Sequence, residues 1–272
     1  MIKLIATDID GTLVKESTSE IYPEMLELIR EWTDRGNYFC VASGRKYYSI
    51  RHMFEKVSDR IIYLAENGAH VRYGEQDILV RKMRRDYVEQ IMAQLRTYYD
   101  DCDVVVSSAE GSLLETDNQR FLEFFAQGYH NKYRIVKDVL MEGTDIMKIA
   151  IYREGSIRDL GENILIPQWQ DKVKICMAGE EWVDFMDSSV DKGNALKVIQ
   201  KYIGVGAEET MAFGDNDNDI GLLMAAGESY AVENARDSVK AQAKHVCPSY
   251  QDKGVYHVIR QMISQQKMEQ EV

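Results

Sequence analysis

Over the first 80 residues, short apolar runs alternate with stretches whose apolar residues recur every three or four positions. "IKLIA" (2–6), "YFCVAS" (38–43) and "IIYLAENGA" (61–69) read as buried strands, the last running into a turn. "PEMLELIREWTDRG" (23–36) reads as a helix, with Pro23 in its first turn and Gly36 just past its end. Met25, Leu28, Ile29 and Trp32 share one face of it. "YYSIRHMFEKV" (47–57) predicts a second helix. Strands separated by amphipathic helices predict parallel pairing, with helices on both faces of the sheet.

The pattern changes in the middle of the chain. A helix "RDYVEQIMAQLRTYY" (85–99) is followed by paired strand-like runs, "CDVVVSS" (102–108) and "SLLET" (112–116). A helical stretch begins near Asn118, then come a strand "DIMKIAIY" (145–152), a helix from Ile157, and the runs "DKVKICMAG" (171–179) and "EWVDFMD" (181–187). Adjacent pairs of strands predict an antiparallel sheet with helices on one face. The alternation resumes with the helix "KGNALKVIQKYIG" (192–204), whose inner side is Ala195, Leu196, Ile199, Tyr202 and Ile203. A strand "ETMAFGD", a helix "DIGLLMAAG", a strand "SYAVE" and a helix "RDSVKAQAK" follow, and the polar tail after Ile263 is expected to fray. The expected architecture is α/β. A Rossmann-like parallel sheet core with helices on both faces is built from residues 1–81 and 188–272, and an α+β domain (82–187) is inserted between them.

Composition narrows the function classes. The chain has 272 residues, enough for one large domain or two modest ones, and 45% hydrophobic residues support a real core. A net charge of −12 offers no basic surplus for phosphate backbones, so no nucleic-acid partner is expected. No stretch approaches the ~20 apolar residues of a membrane span, and the first apolar run stops at Asp8. Cys40, Cys102, Cys176 and Cys247 are widely separated and suggest neither a zinc site nor a disulfide framework. A reducing cytoplasm is the expected setting, with Cys40 a buried thiol and no obligate protein partner.

Four places put polar residues directly after an apolar strand or at a helix start, where the loops of a parallel sheet gather around ligands. In "IATDIDGTLV", Asp8 and Asp10 straddle Ile9. Carboxylates so close repel, and burying them is costly unless a cation or hydrogen bonds answer them. In "ASGR", the Ser43 hydroxyl and the unobstructed Gly44 N–H suit a phosphate oxygen. Lys192, preceded by Asp191, opens a helix, and Asp215, Asn216, Asp217, Asn218 and Asp219 crowd the loop "FGDNDNDIG". That loop is not a calcium loop, because counting from Asp215 puts Ile220 and Ala226 where Gly and Glu are needed. A Walker A motif is absent.

Taken in order, these motifs resemble those of the haloacid dehalogenase-like phosphohydrolase superfamily. "DIDGTL" is similar to its first motif, Ser43 to its second, Lys192 to its third and "GDNDND" to its fourth. The wording "VASGR", "AENGA", "VDKGNAL" and "GDNDNDIGLL" resembles the Cof-like subfamily, whose large type IIB cap lies between the second and third motifs. Both core segments carry the resemblance closely; the insert matches in layout only.

The resemblance implies a Mg2+-dependent phosphatase acting on a small phosphorylated metabolite of the sugar phosphate, flavin mononucleotide or pyridoxal phosphate type. Asp8 would be the nucleophile that forms an aspartyl-phosphate, and Asp10 the acid and base. The metal would be held by Asp8, the backbone carbonyl of Asp10, Asp215 and, through water, Asp219. Ser43, Gly44, Lys192 and Asn218 would bind the phosphate, with Arg45 reaching toward the substrate. The cap would close over the site and set specificity, with Tyr47, Tyr48, Trp182 and Phe185 as aromatic candidates for the cleft, though ordinary core or cap packing is the commoner use of such rings. A phosphomutase of the same superfamily and a non-catalytic binding protein on the same fold are the alternatives.

Overall fold

The computed structural model describes residues 1–16, 18, 20–129 and 132–270. The chain forms two compact units, Met1–Leu79 with Asp191–Val272, and Val80–Val190. In chain order, the elements are β1 (Leu4–Thr7), α1 (Pro23–Thr33), β2 (Tyr38–Ala42), α2 (Tyr47–Met53), β3 (Ile61–Ala65), β4 (His70–Tyr73) and β5 (Gln76–Val80). The second unit then contributes α3 (Arg85–Leu95), β6 (Asp103–Ser108), β7 (Gly111–Leu114), α4 (Gln119–Tyr129), β8 (Tyr133–Ile135), β9 (Lys148–Tyr152), α5 (Arg158–Leu160), α6 (Ile166–Trp169), β10 (Lys174–Met177) and β11 (Trp182–Met186). The first unit is completed by α7 (Lys192–Ile203), β12 (Thr210–Gly214), α8 (Ile220–Met224), β13 (Glu228–Val232), α9 (Asp237–Lys240), β14 (His245–Cys247) and α10 (Gly254–Gln270).

The sheet of the first unit runs β14-β13-β12-β1-β2-β3-β4-β5. From β14 to β3 every neighbouring pair is parallel, and β4 turns back antiparallel on β3. β1 is the central strand, and Leu4, Ile5 and Ala6 are wholly buried, as a strand covered on both sides requires. In α1 the four residues of the predicted inner face, Met25, Leu28, Ile29 and Trp32, have no exposed surface. Each large apolar side chain buried this way contributes about 1.5–3 kcal/mol before conformational entropy is counted. The Trp32 indole N–H donates to the Tyr38 carbonyl at 2.9 Å, tying α1 to the start of β2.

The second unit is a six-stranded sheet, β10-β11-β9-β6-β7-β8, antiparallel except between β7 and β8. Alternate residues Val104, Val106, Ile149, Ile151, Val183 and Phe185 pack with α3, α5 and α6. The intervening positions Val105, Ala150 and Tyr152 pack instead with Phe121, Leu122 and Phe125 of α4. Helices therefore cover both faces of this sheet rather than the one face expected. Runs such as "VVV" are apolar at consecutive positions, so both sides of the pleat need cover.

Other departures have equally local causes. Tyr202 is 49% exposed rather than on the inner side of α7, and its hydroxyl donates to Gln76 at 2.6 Å. An amphipathic ring can leave the core when its polar end finds a partner. β4, β5, β8 and β14 are short or edge strands that hydrophobic runs do not mark. The tail expected to fray continues α10 to Gln270. Cys40 is a buried free thiol. Among the described residues no helix is long and apolar enough to cross a membrane.

Asp191 sets where α7 begins, its carboxylate accepting the Asn194 N–H at 2.9 Å as an N-cap, and Gly204 ends the helix in the left-handed region. Replacing Asp191 with Ala is expected to lower unfolding stability by about 1 kcal/mol, with Asp191→Ser retaining most of it. Urea denaturation of the three proteins checks this, and equal midpoints for native and Ala chains would refute the capping role.

Candidate active site

In the first unit the chain runs from β1 through β2 to β3 on one side and from β12 through β13 to β14 on the other. The strand order thus reverses beside β1, the place at which open parallel sheets bind ligands beyond the carboxyl ends of their strands. The register pairs Thr7 with Phe213 on one side and with Val41 on the other. The next residues along each strand are therefore Asp8, Gly214–Asp215 and Ala42–Ser43, so three of the four predicted loops meet at one sheet edge. The fourth comes from the start of α7.

Lys192 is 1% exposed, and its ammonium donates to Asp8 Oδ1 and to Asp219 Oδ1, both at 2.6 Å. The second oxygen of Asp219 accepts the backbone N–H groups of Asp215 and Asn216, at 3.0 and 3.1 Å. Asp219 is thus a brace with both oxygens engaged. One end fixes the turn after β12 and the other fixes the lysine. Asp215 accepts the Thr12 hydroxyl at 2.7 Å. Gly11 has φ +82°, and a Cβ there would lie 2.5 Å from Asp215 Oδ2, so only glycine lets the two loops approach so closely.

Carboxylate oxygens of Asp8, Asp215 and Asp219 lie within 4.8 Å of one another. Burial pushes the Asp8 carboxyl well above the usual carboxylate range; the Asp219 and Asp215 charges add to this and Lys192 opposes it. Asp215 is pushed up to about 6, first by burial and then by Asp219, against the pull of the Thr12 hydrogen bond. Burial by itself would lower Lys192, but the charges of Asp219 and Asp8 outweigh it and raise the ammonium above its ordinary value. Burial comes first in all three, and the neighbouring charges set the balance. More negative charge is buried here than a single ammonium balances. Hard oxygen donors with surplus charge are the donor set of a divalent cation such as Mg2+, so the residues present fit such an ion.

Asp10 is placed differently. Its two carboxylate oxygens accept from Arg45, Oδ2 from Nε at 2.7 Å and Oδ1 from Nη2 at 2.5 Å. Arg45, expected to reach the substrate, therefore forms a bidentate fork on Asp10, with Nη1 against Met53 Sδ at 3.0 Å. Ser43 is buried, and its hydroxyl accepts the Arg45 N–H at 3.1 Å. Asn218 is exposed and donates to Asn67 Oδ1 at 2.9 Å. The same Asn67 amide lies against Gly44. Of the aromatic candidates, Tyr47 and Phe185 belong to the cores of their own units, as ordinary packing predicts, and Tyr48 and Trp182 are half-buried against those cores. Apolar rings pack wherever they find apolar cover, and spacing alone does not reveal which side that is. Sequence reasoning gave no role to Thr12 or Asn67. Their signal was only a hydroxyl in "DGT" and an amide in "ENG", residues that also suit ordinary turns.

The sequence profile of the haloacid dehalogenase-like hydrolases matches residues 5–259. This chain belongs to that family. It is 33% identical to a protein of Eubacterium rectale of known crystal structure, with a TM-score of 0.87 over 96% of this chain and 99% of the other. It is 27% identical to the 5-amino-6-(5-phospho-D-ribitylamino)uracil phosphatase YbjI of Escherichia coli, covering 96% of each chain. A Bacillus subtilis protein of the same description, YitU, is 25% identical over 96% of this chain and 97% of its own. The chain is therefore a hydrolase with the haloacid dehalogenase-like fold.

The buried charge has a thermodynamic signature. The folded-state value of Asp215 is raised, so its contribution to stability is complete below its ordinary pKa of 3.8 and is lost as pH rises through about 6. A divalent cation reverses this, because it binds the ionised carboxylates and competes with protons. Added Mg2+ is expected to raise the thermal midpoint more at pH 8 than at pH 5, by up to about 2.7 kcal/mol of stability at a hundredfold excess over its dissociation constant. Asp215→Asn is expected to lose most of the shift. Scanning calorimetry with and without Mg2+ checks both, and a shift that is independent of pH or retained in Asp215→Asn would refute the site.

Proposed function

We propose that this hydrolase is a Mg2+-dependent phosphatase that cleaves small phosphomonoesters through an aspartyl-phosphate on Asp8. The observation that carries the reading is the buried Lys192 ammonium bridging Asp8 and Asp219, with Asp215 beside them. Asp8, Asp215 and the Asp10 carbonyl would hold the ion, with Asp219 supporting it through water. When bound, Mg2+ supplies positive charge to the phosphoryl oxygens and lowers the barrier to approach of an anion.

The need for that charge follows from electrostatics. A carboxylate and a phosphate dianion repel, by about 4 kcal/mol per pair of unit charges at about 4 Å and an effective dielectric of ~20. Lys192 offsets part of this and faces the charge that develops on the equatorial oxygens. The Asp8 carboxylate oxygen forms a bond to phosphorus as the bond from phosphorus to the ester oxygen breaks, and Asp10 gives that oxygen its proton. In the second half, Asp10 takes a proton from water, the water oxygen bonds to phosphorus, and the Asp8 carboxylate leaves. Inorganic phosphate and the alcohol are the products. Arg45 holds Asp10 by both oxygens, fixing its aim, and each oxygen retains a second lone pair for the proton it moves. Ser43, Gly44 and Asn218 would grip the phosphoryl oxygens.

We infer a substrate with its phosphate on a primary alcohol, as in sugar phosphates, flavin mononucleotide and pyridoxal phosphate. The ribityl phosphates named for the Escherichia coli and Bacillus subtilis relatives share that chemistry. A primary alkoxide is a poor leaving group, which is the reason for an acid at Asp10. We read the inserted segment as the cap domain of the family and the protein as cytoplasmic, acting without an obligate partner.

A panel of phosphomonoesters assayed with and without Mg2+ tests the reading. Asp8→Asn is expected to lose more than about 10³-fold in kcat, and Asp10→Asn about 10²- to 10⁴-fold, with the smaller loss on aryl phosphates whose leaving group needs no proton. An Asp8→Asn chain that keeps most of the native activity would overturn covalent catalysis.

A further inference from the structure

The turn Glu66–Gly68 at the end of β3 has no part in the chemistry above, yet its backbone is unusual. Its three residues have φ of 50°, 57° and 100° in succession. Two of the three carry a Cβ, and that region is costly for such residues unless the surroundings hold them there. They are held. Glu66 N–H donates to the Arg45 carbonyl and Asn67 N–H to the Ser43 carbonyl, both at 3.0 Å. On the other side, a Cβ at Gly68 would lie 2.6 Å from the carbonyl oxygen of Asp191, the residue before Lys192. The turn is therefore wedged between the loop after β2 and the start of α7.

Its one outward amide, that of half-buried Asn67, spans two further pieces. Oδ1 accepts from Asn218 Nδ2 at 2.9 Å, and the same amide packs over Gly44, its nitrogen and oxygen 3.2 and 3.3 Å from where a Cβ there would be. Gly44 and Asn218 come from loops after different strands, β2 and β12. We propose that Asn67 is a positioning residue for the phosphoryl group: it sets Gly44 and Asn218 at the separation at which both grip one phosphate. The proposal rests on the phosphatase reading. Asparagine suits the position because it tolerates left-handed backbone and still carries an amide.

Asn67→Gly tests this, since glycine keeps the backbone conformation and removes only the amide. The expected result is a kcat/KM about tenfold lower, the worth of one hydrogen bond, and an equal loss of affinity for inorganic phosphate in Mg2+ by titration calorimetry. The thermal midpoint should not fall. Because Asn67 acts in part through Asn218, Asn67→Gly should cost less in an Asn218→Ala chain than in the native chain. Native phosphate affinity in Asn67→Gly, losses that multiply in the double variant, or a loss explained by a lower midpoint would each overturn the proposal. A native chain that binds phosphate without hydrolysing any ester would overturn the catalytic reading alone, and the affinity comparison would still decide Asn67. A native chain that does neither overturns both.

Discussion

One ammonium group, that of Lys192, organises the site of the first unit. Moving it out of water costs several kcal/mol unless it is paired and hydrogen-bonded. It is answered by two carboxylates from loops far apart in sequence, Asp8 and Asp219. Each of the three is buried only because the others are there. Removing one would strand a charge, so the end of β1, the turn after β12 and the start of α7 are bound to a common point. Asp219 extends the link by using its other oxygen on the backbone of Asp215 and Asn216. The loop that holds the third carboxylate is shaped by the same residue that holds the lysine.

The sheet makes this convergence possible. Parallel strands deliver their carboxyl ends to one edge, and the reversal of strand order beside β1 sets the loops after β1 and β12 side by side there. Short polar sequences after buried strands then need only to turn. Gly11 lets the loop after β1 come close to Asp215, and Asp191 caps α7 so that Lys192 starts a helix rather than a loop. The two acidic residues of the first motif are separated by their partners: Asp8 faces the lysine, and Asp10 lies in the fork of Arg45. Two carboxylates two residues apart so acquire different surroundings, which is how one sequence motif can supply two chemical roles.

Much of this was legible from residue order. Helical spacing in "PEMLELIREWT" picked out the buried face of α1, and alternation of strands and helices predicted the parallel sheet. Legibility was poorer where a residue's partner comes from another strand. The partner of Arg45, the Asp10 carboxylate, comes from the loop after a different strand. Tyr202 was expected inside and is outside. Helix α4 covers a sheet face that was expected to be bare. In each case the local pattern was read correctly as polar, aromatic or helical, but its direction depended on a neighbour distant in sequence.

The sequence by itself determined the kinds of chemistry present, since the carboxylates, the lysine and the strand-ending glycines are written in short motifs whose spacing follows from backbone geometry. It also determined the alternation that makes an α/β sheet, because burial periodicity is local. Only the tertiary structure decided pairings: which oxygen of Asp219 meets the lysine, that Asp10 belongs to Arg45, and that Asn67 accepts from Asn218. Those depend on distances between strands that are neighbours in the sheet and far apart in the chain, and no local pattern encodes a distance of that kind.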